Sequence, residues 1–208
     1  MLIKNSKPLA AISYDTQTFA LLTEFIKNEG DDHVTRIEPT QFKQDLDPNY
    51  QYINLVLKDW EERKEISSLL DQHELDRFTY LNTDYAAIPT SISVVNNSKM
   101  SIGPGCFLYP GVMAYSGSID KDVIIHGRVA LAENIHIGTG TFMSGACVIA
   151  GNCDIGSWCY IGTSVLILDH VTVASDTKIL PGTAVKKSIK KSGTYYNPHF
   201  YKIQKLPD

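Results

Sequence analysis

The sequence is poor in the features that mark the simplest protein classes. Nowhere in its 208 residues do about 18 consecutive apolar residues occur, so no segment is long enough to cross a bilayer as a helix. The opening MLIKNSKPLAA has no sustained apolar stretch running into a small-residue cleavage site. A cytoplasmic protein with no membrane span is expected. Basic charge is not in excess, with 19 Lys and Arg against 23 Asp and Glu, which leaves no field to hold a nucleic-acid backbone. Cysteine is sparse: none of the four is paired as Cys-x-x-Cys, so no zinc knuckle is legible and no metal is expected. Buried free thiols in a reducing compartment fit better.

The N-terminal part alternates β and α signals: a strand near Leu9–Ser13, a helix over Thr16–Asn28, a strand near Tyr52–Leu57 and a helix over Trp60–Asp71. Asp15 is placed to cap the first helix, and Phe19, Leu22, Phe25 and Ile26 form its apolar stripe. In the second, Trp60, Ile66, Leu69 and Leu70 share a face among charges. A small α/β domain over residues 1–87 is expected, its two helices covering a short parallel sheet.

Past about Ile88 the period changes to six. From Ile119 every sixth residue is aliphatic or Met: Ile125, Leu131, Ile137, Met143, Ile149, Ile155, Ile161, Ile167, Val173, Ile179 and Val185. Four positions after each comes a small or β-branched residue, from Val123 to Ile189, with Cys147, Cys153 and Cys159 among them. Ile102, Leu108 and Ala114 extend the pattern upstream, and the step from Ala114 to Ile119 is one residue short. A helix cannot carry this pattern, because positions six apart are rotated by about 240° on a 3.6-residue period. Short strands joined by tight corners can. Three hexads make one turn of a triangular parallel solenoid, and residues 119–190 supply four full turns. Glycines and polar residues at corners, as in IGPG, IGTG, IGSW and IGTS, supply the backbone freedom that the bends need. The expected fold is mostly β: a parallel β-helix over 88–191, after the α/β domain and before a tail at 192–208.

The hexad pattern resembles the hexapeptide-repeat acyltransferases, whose fold is a left-handed parallel β-helix. The two-part layout is similar to bacterial amino-sugar and sialic-acid acetyltransferases with a small Rossmann-like N-terminal domain. The most specific stretch is MSGACVIAGNCDIGSWCYIG, from Met143 to Gly162. The resemblance implies a homotrimer, acetyl-CoA as donor in a groove between neighbouring prisms, and a free or nucleotide-linked amino sugar as acceptor, in bacterial surface-polysaccharide synthesis. The small residues Ser144, Gly145, Ala146, Ala150, Gly151, Gly156 and Gly162 leave backbone amides open to the two amides of pantetheine.

Acyl transfer from a thioester needs a group to take the nucleophile's proton. Relatives carry a His-Asp pair in a sequence like V-x-H-D, and here Leu131-Ala132-Glu133-Asn134 puts Glu133 at the histidine position. Three candidates lie within eleven residues: His126, Glu133 and His136. His170, beside Asp169, falls two turns further, about 10 Å along the axis at strand spacing. Trp158 and Tyr160 are candidates for stacking on an adenine or packing between subunits. Lys186, Lys187, Lys190 and Lys191 form a basic strip suited to the phosphates of CoA or to a solvated face. The first β-to-α turn, AAISYDTQTFA, has no glycine and carries Asp15 where relatives bind phosphate. Glu133 and Asp15 also admit a second reading, a catalytically degenerate solenoid that scaffolds or binds a partner.

Overall fold

The computed structural model describes residues 2–3, 7–27, 33–57, 59–81 and 99–197. Its larger part is a parallel β-solenoid of three faces. Face 1 runs through Phe107–Leu108, Ile124–Ile125, Phe142–Met143, Tyr160–Ile161 and Thr177–Ile179. Face 2 comprises Met113–Ala114, Ala130–Leu131, Val148–Ile149, Leu166–Ile167 and Ala184–Val185. Face 3 comprises Met100–Ile102, Gly117–Ile119, Ile135–Ile137, Asp154–Ile155 and Thr172–Val173. From Ile124 to Val185 each strand pairs with the one 18 residues on, as in Ile125↔Met143 and Ile149↔Ile167. The hexad aliphatics from Ile119 to Val185, with the small residues beside them, form one buried column down the axis. Below Ile119 the spacing is 17, as in Leu108↔Ile125, because of the short corner after Ala114. Gly117 absorbs the missing residue at φ +131°, where a Cβ would stand 1.9 Å from the Ile135 carbonyl oxygen.

The bends are not made chiefly by glycine. Every sixth residue from Asp122 to Gly182 is left-handed, with φ between 54° and 70°, and nine of these eleven are not glycine. A left-handed L-residue costs about 1–2 kcal/mol. Here the strained residue donates its N–H to the corner one turn below, as Asn152 does to Glu133 O and Ser164 to Gly145 O, which offsets that cost. Glycine and polar residues share the left-handed corners, Gly105 and Gly140 beside Asp122, Asn134, Asn152, Ser164 and Asp176. Gly138, Gly156 and Gly162 have no positive φ; a Cβ there would lie 2.5–2.6 Å from a backbone nitrogen of the next turn. They are glycine because the turns stack closely.

The N-terminal unit is a three-stranded parallel sheet in the order Val34–Ile37, Leu9–Ile12, Gln51–Asn54. It carries helices α1 (Thr16–Lys27), α2 (Pro39–Gln44) and α3 (Trp60–Gln72). Strand Val34–Ile37 and helix α2 were not legible in the sequence. Asp15 does cap α1, accepting from the Gln17 N–H at 2.9 Å, and Asp59 caps α3 by accepting from Glu62 N–H at 2.9 Å. The side chains of Phe25 and Ile26, the expected boundary at 87 and most of the expected tail lie outside the described residues.

The sheet is buried on both sides. Ala10, Ile12 and Tyr52 pack with Phe42 of α2 and with Ile66 and Leu70 of α3. Leu9, Ala11 and Ile53 pack with Leu22 of α1 and with Phe107 and Ile124 of solenoid face 1. The two parts thus share a core. A buried polar joint fixes the docking: Arg63 of α3 donates to the Gly140 and Asp122 carbonyls, and Asp122 accepts from Ser67 and from Arg77 Nε. Strand Thr79–Leu81 then pairs in parallel with Phe107–Leu108, so face 1 begins in the N-terminal unit.

Candidate active site

With the interior identical from turn to turn, chemistry is left to the outward residues of the faces and corners. The outward residues of face 1 differ from bottom to top: Phe107 and Ile124 are buried under the N-terminal unit, while Lys178 is exposed. Face 2 presents Met113, Ala130, Val148, Leu166 and Ala184, an aliphatic strip in which Val148 is 45% and Leu166 38% exposed. Face 3 presents Ser118, His136, Asp154 and Thr172.

The residues expected to hold the donor divide between the two edges that border face 2. Ser144, Gly145, Ala146 and Gly162 stack on the edge between faces 1 and 2, directly above His126 and Gly127: Ala146 N–H donates to Gly127 O at 3.1 Å. Ala150 and Gly151 lie on the edge between faces 2 and 3, above Glu133: Asn152 N–H donates to Glu133 O at 2.9 Å. Within one prism they do not line a single groove. Their glycines also differ in kind. Gly162 and Gly156 are required by the turn above, whereas a Cβ on Gly145 would meet only Gly127 O at 3.2 Å, and one on Gly151 nothing closer than 3.5 Å. Neither Gly145 nor Gly151 has a positive φ. The packing of the chain does not demand glycine at 151, whereas at 145 a Cβ would press on the Gly127 carbonyl.

The three candidate bases occupy one turn but three environments. His126 stacks on Tyr109, with ring centroids 4.3 Å apart, and lies 5.0 Å from the Phe142 ring. Its Nε2 is buried without a hydrogen-bond partner among the described residues, and burial lowers its pKa, so the ring is held neutral. Burial likewise pushes Tyr109 up to about 12, with the Asp15 charge adding to the effect. Glu133 is exposed on the edge between faces 2 and 3.

His136 stands outward on face 3 between two carboxylates. Its Nδ1 lies 2.7 Å from Asp154 Oδ1 on the turn above, and its Nε2 3.3 Å from Asp120 Oδ2 on the turn below. Burial opposes its charge, but the hydrogen bonds and charges of Asp154 and Asp120 outweigh it and raise the pKa above the ordinary value. Sequence reasoning missed both carboxylates. The signal was present, since Asp154 is 18 residues from His136, one full turn.

The remaining candidates are placed as follows. His170 is exposed on the edge between faces 2 and 3, where the Gly151 N–H donates to Asp169 Oδ1 at 2.9 Å. Trp158 is half-buried and packs edge-on to Trp60 of α3 at 6.2 Å. Tyr160 stacks on Phe142 at 5.6 Å, with Lys178 over its ring. Lys186, Lys187, Lys190 and Lys191 border an open cavity of about 550 Å³ with Tyr195 and Tyr196 at the end of the solenoid. Cys106, Cys147, Cys153 and Cys159 are buried free thiols whose pKa values burial raises. Among the described residues no group of three or more His, Cys, Asp or Glu is placed to hold a metal, and no helix is long and apolar enough to cross a membrane.

No protein-family model matches the chain. It is 31% identical over 132 residues to the UDP-3-O-acylglucosamine N-acyltransferase of Herminiimonas arsenicoxydans, a match covering 62% of this chain and 37% of that relative. The corresponding enzyme of Janthinobacterium is 30% identical over the same length, so the chain spans little more than a third of the curated relatives it matches. Among solved structures, perosamine N-acetyltransferase from Caulobacter crescentus, in complex with CoA and GDP-perosamine, superposes with a TM-score of 0.72 at 16% identity, covering 95% of this chain and 96% of that one. The acetyltransferase domain of PglB from Neisseria gonorrhoeae superposes with a TM-score of 0.74 at 16% identity, covering 92% and 97%. At these identities the two structures show the fold: a parallel β-solenoid behind an N-terminal unit.

Proposed function

We propose that this protein is a hexapeptide-repeat acyltransferase that moves an acetyl or other short acyl group from CoA to an amino sugar, free or nucleotide-linked, in bacterial surface-glycan synthesis. The solenoid is the left-handed β-helix of that family, the N-terminal unit is Rossmann-like, and the enzyme works as a cytoplasmic homotrimer with acetyl-CoA as donor. The observation that carries this reading is Gly151, kept small on an edge beside face 2 where a Cβ would meet nothing closer than 3.5 Å and φ is not positive. An edge without side chains lets a thin ligand lie close along the prism. Both edges border the aliphatic strip of face 2. A second copy seated on that strip would bring another prism's edge alongside and close a groove that one prism lacks. The named activities of the relatives, acyl transfer to a UDP-linked glucosamine and acetyl transfer to perosamine, support the same donor and acceptor classes.

Two features favour the scaffold reading: Glu133 at the position where relatives carry histidine, and the Asp15 carboxylate at the start of α1, where it repels phosphate. Thermal unfolding with free CoA and acetyl-CoA separates the two, because a ligand bound only by the native state raises apparent stability. A clear upward shift at millimolar CoA is expected. A folded, trimeric protein that shows no shift would leave the scaffold as the better account.

A further inference from the structure

We infer that Asp154 and Asp120 are positioning residues for His136, which takes the acceptor's proton during transfer; this rests on the acyltransferase reading above. The three side chains come from three successive turns, His136 and Asp154 from face 3 and Asp120 from the corner after strand Gly117–Ile119, with Nδ1 2.7 Å from Asp154 and Nε2 3.3 Å from Asp120. Ser118 and Thr172, outward on the same face, carry no charge. A neutral imidazole has one N–H. The shorter contact fixes that hydrogen on Nδ1, donating to Asp154, which leaves the Nε2 lone pair as the base. A lone pair facing the Asp120 carboxylate is unfavourable, which favours the charged ring and agrees with its raised pKa. An acceptor amine beside the pair donates one N–H to the neutral Nε2 and another to the Asp120 carboxylate. The other two candidates are less suited. His126 has its Nε2 buried beneath an aromatic stack, and Glu133 has no hydrogen-bonded partner orienting its carboxylate among the contacts described.

The step balances. The amine lone pair attacks the thioester carbonyl, the C–N bond forms, and Nε2 accepts the nitrogen's proton. The C–S bond then breaks and the imidazolium returns that proton to the departing thiolate, giving amide and free thiol with His136 neutral again.

The test is a pH profile of kcat/KM for the full chain with acetyl-CoA and an amino-sugar acceptor, together with NMR titration of the His136 ring. The wild-type acid limb is expected above about 6.5, the ordinary histidine value. Asp154→Asn should lower kcat/KM by about 10- to 100-fold, part of the 10²–10⁴ that a general base contributes, and move both the acid limb and the ring titration to lower pH. Asp120→Asn should do the same to a smaller extent, and Thr172→Ala should do neither. A limb set by the acceptor's own amine would stay in place in Asp154→Asn, and that result overturns the inference. So does a His136→Gln enzyme retaining activity within about threefold of wild type. Wild-type protein with no turnover on any amino sugar instead overturns the acyltransferase reading, and the base role falls with it.

Discussion

Faces 2 and 3 of the prism are built on the same interior and differ only in what they turn outward. Under face 2 lie Leu131, Ile149 and Ile167; under face 3 lie Ile137, Ile155 and Val173, all at most 1% exposed. Outside, face 2 is Met, Ala, Val, Leu and Ala, whereas face 3 is Ser, His, Asp and Thr. The fold is therefore indifferent to its outward residues, which are free to be chosen for association on one side and for proton chemistry on the other. A strand only two residues long makes this separation sharp, since one side chain points in and its neighbour out.

The largest expected effect comes from giving face 3 a residue of face 2. His136→Val should reduce transferase kcat by about 10²–10⁴, while the unfolding free energy changes by less than about 1 kcal/mol, because the lost contacts are half-exposed ion pairs. Loss of the fold in that variant would show that His136 is structural. Next come interior truncations, which test whether the core distinguishes the faces. Ile149→Ala and Ile155→Ala should each cost about 2–5 kcal/mol in chemical denaturation, and by similar amounts. A large difference between them would mean that the faces are not equivalent inside.

The reverse exchange turns face 2 polar. Val148→Asp with Leu166→Asp should convert the proposed trimer to folded monomers in sedimentation velocity, at about 2 kcal/mol or more for each unpaired charge buried in an interface. An unchanged oligomer would move the association surface away from face 2. The smallest effect concerns two histidines ten residues apart. His136 has a raised pKa, so its contribution to stability is full below about pH 6.5 and is lost as pH rises through its folded value. His126 has a lowered pKa, so the fold loses stability as pH falls below about 6.5. NMR titration of both rings should place them on opposite sides of about 6.5, and the contribution of His136 should stay below about 1 kcal/mol because solvent screens its ion pairs.

The interior of the solenoid was legible because a six-residue period repeated without a slip has one geometric solution. Even the short corner was visible in the step from Ala114 to Ile119. The N-terminal unit was read less completely. Strand Val34–Ile37 lies at the sheet edge with a half-buried, non-alternating pattern, and α2 is six residues long with no side-chain cap at Glu38, so neither carries a strong periodic signal. The donor residues were read as one segment, Met143 to Gly162, but a segment of that length passes around the whole prism. Its small residues consequently fall on more than one edge.

The sequence by itself determined the period, the inward column and the supply of small and titratable residues, because those follow from which side chains must leave water. It did not determine which histidine meets a carboxylate. His126 and His136 look alike in the chain, and only stacking of the turns puts Asp154 and Asp120 on either side of one while the Tyr109 and Phe142 rings close over the other. A pKa depends on neighbours and burial, and in a solenoid the neighbours are 18 residues away.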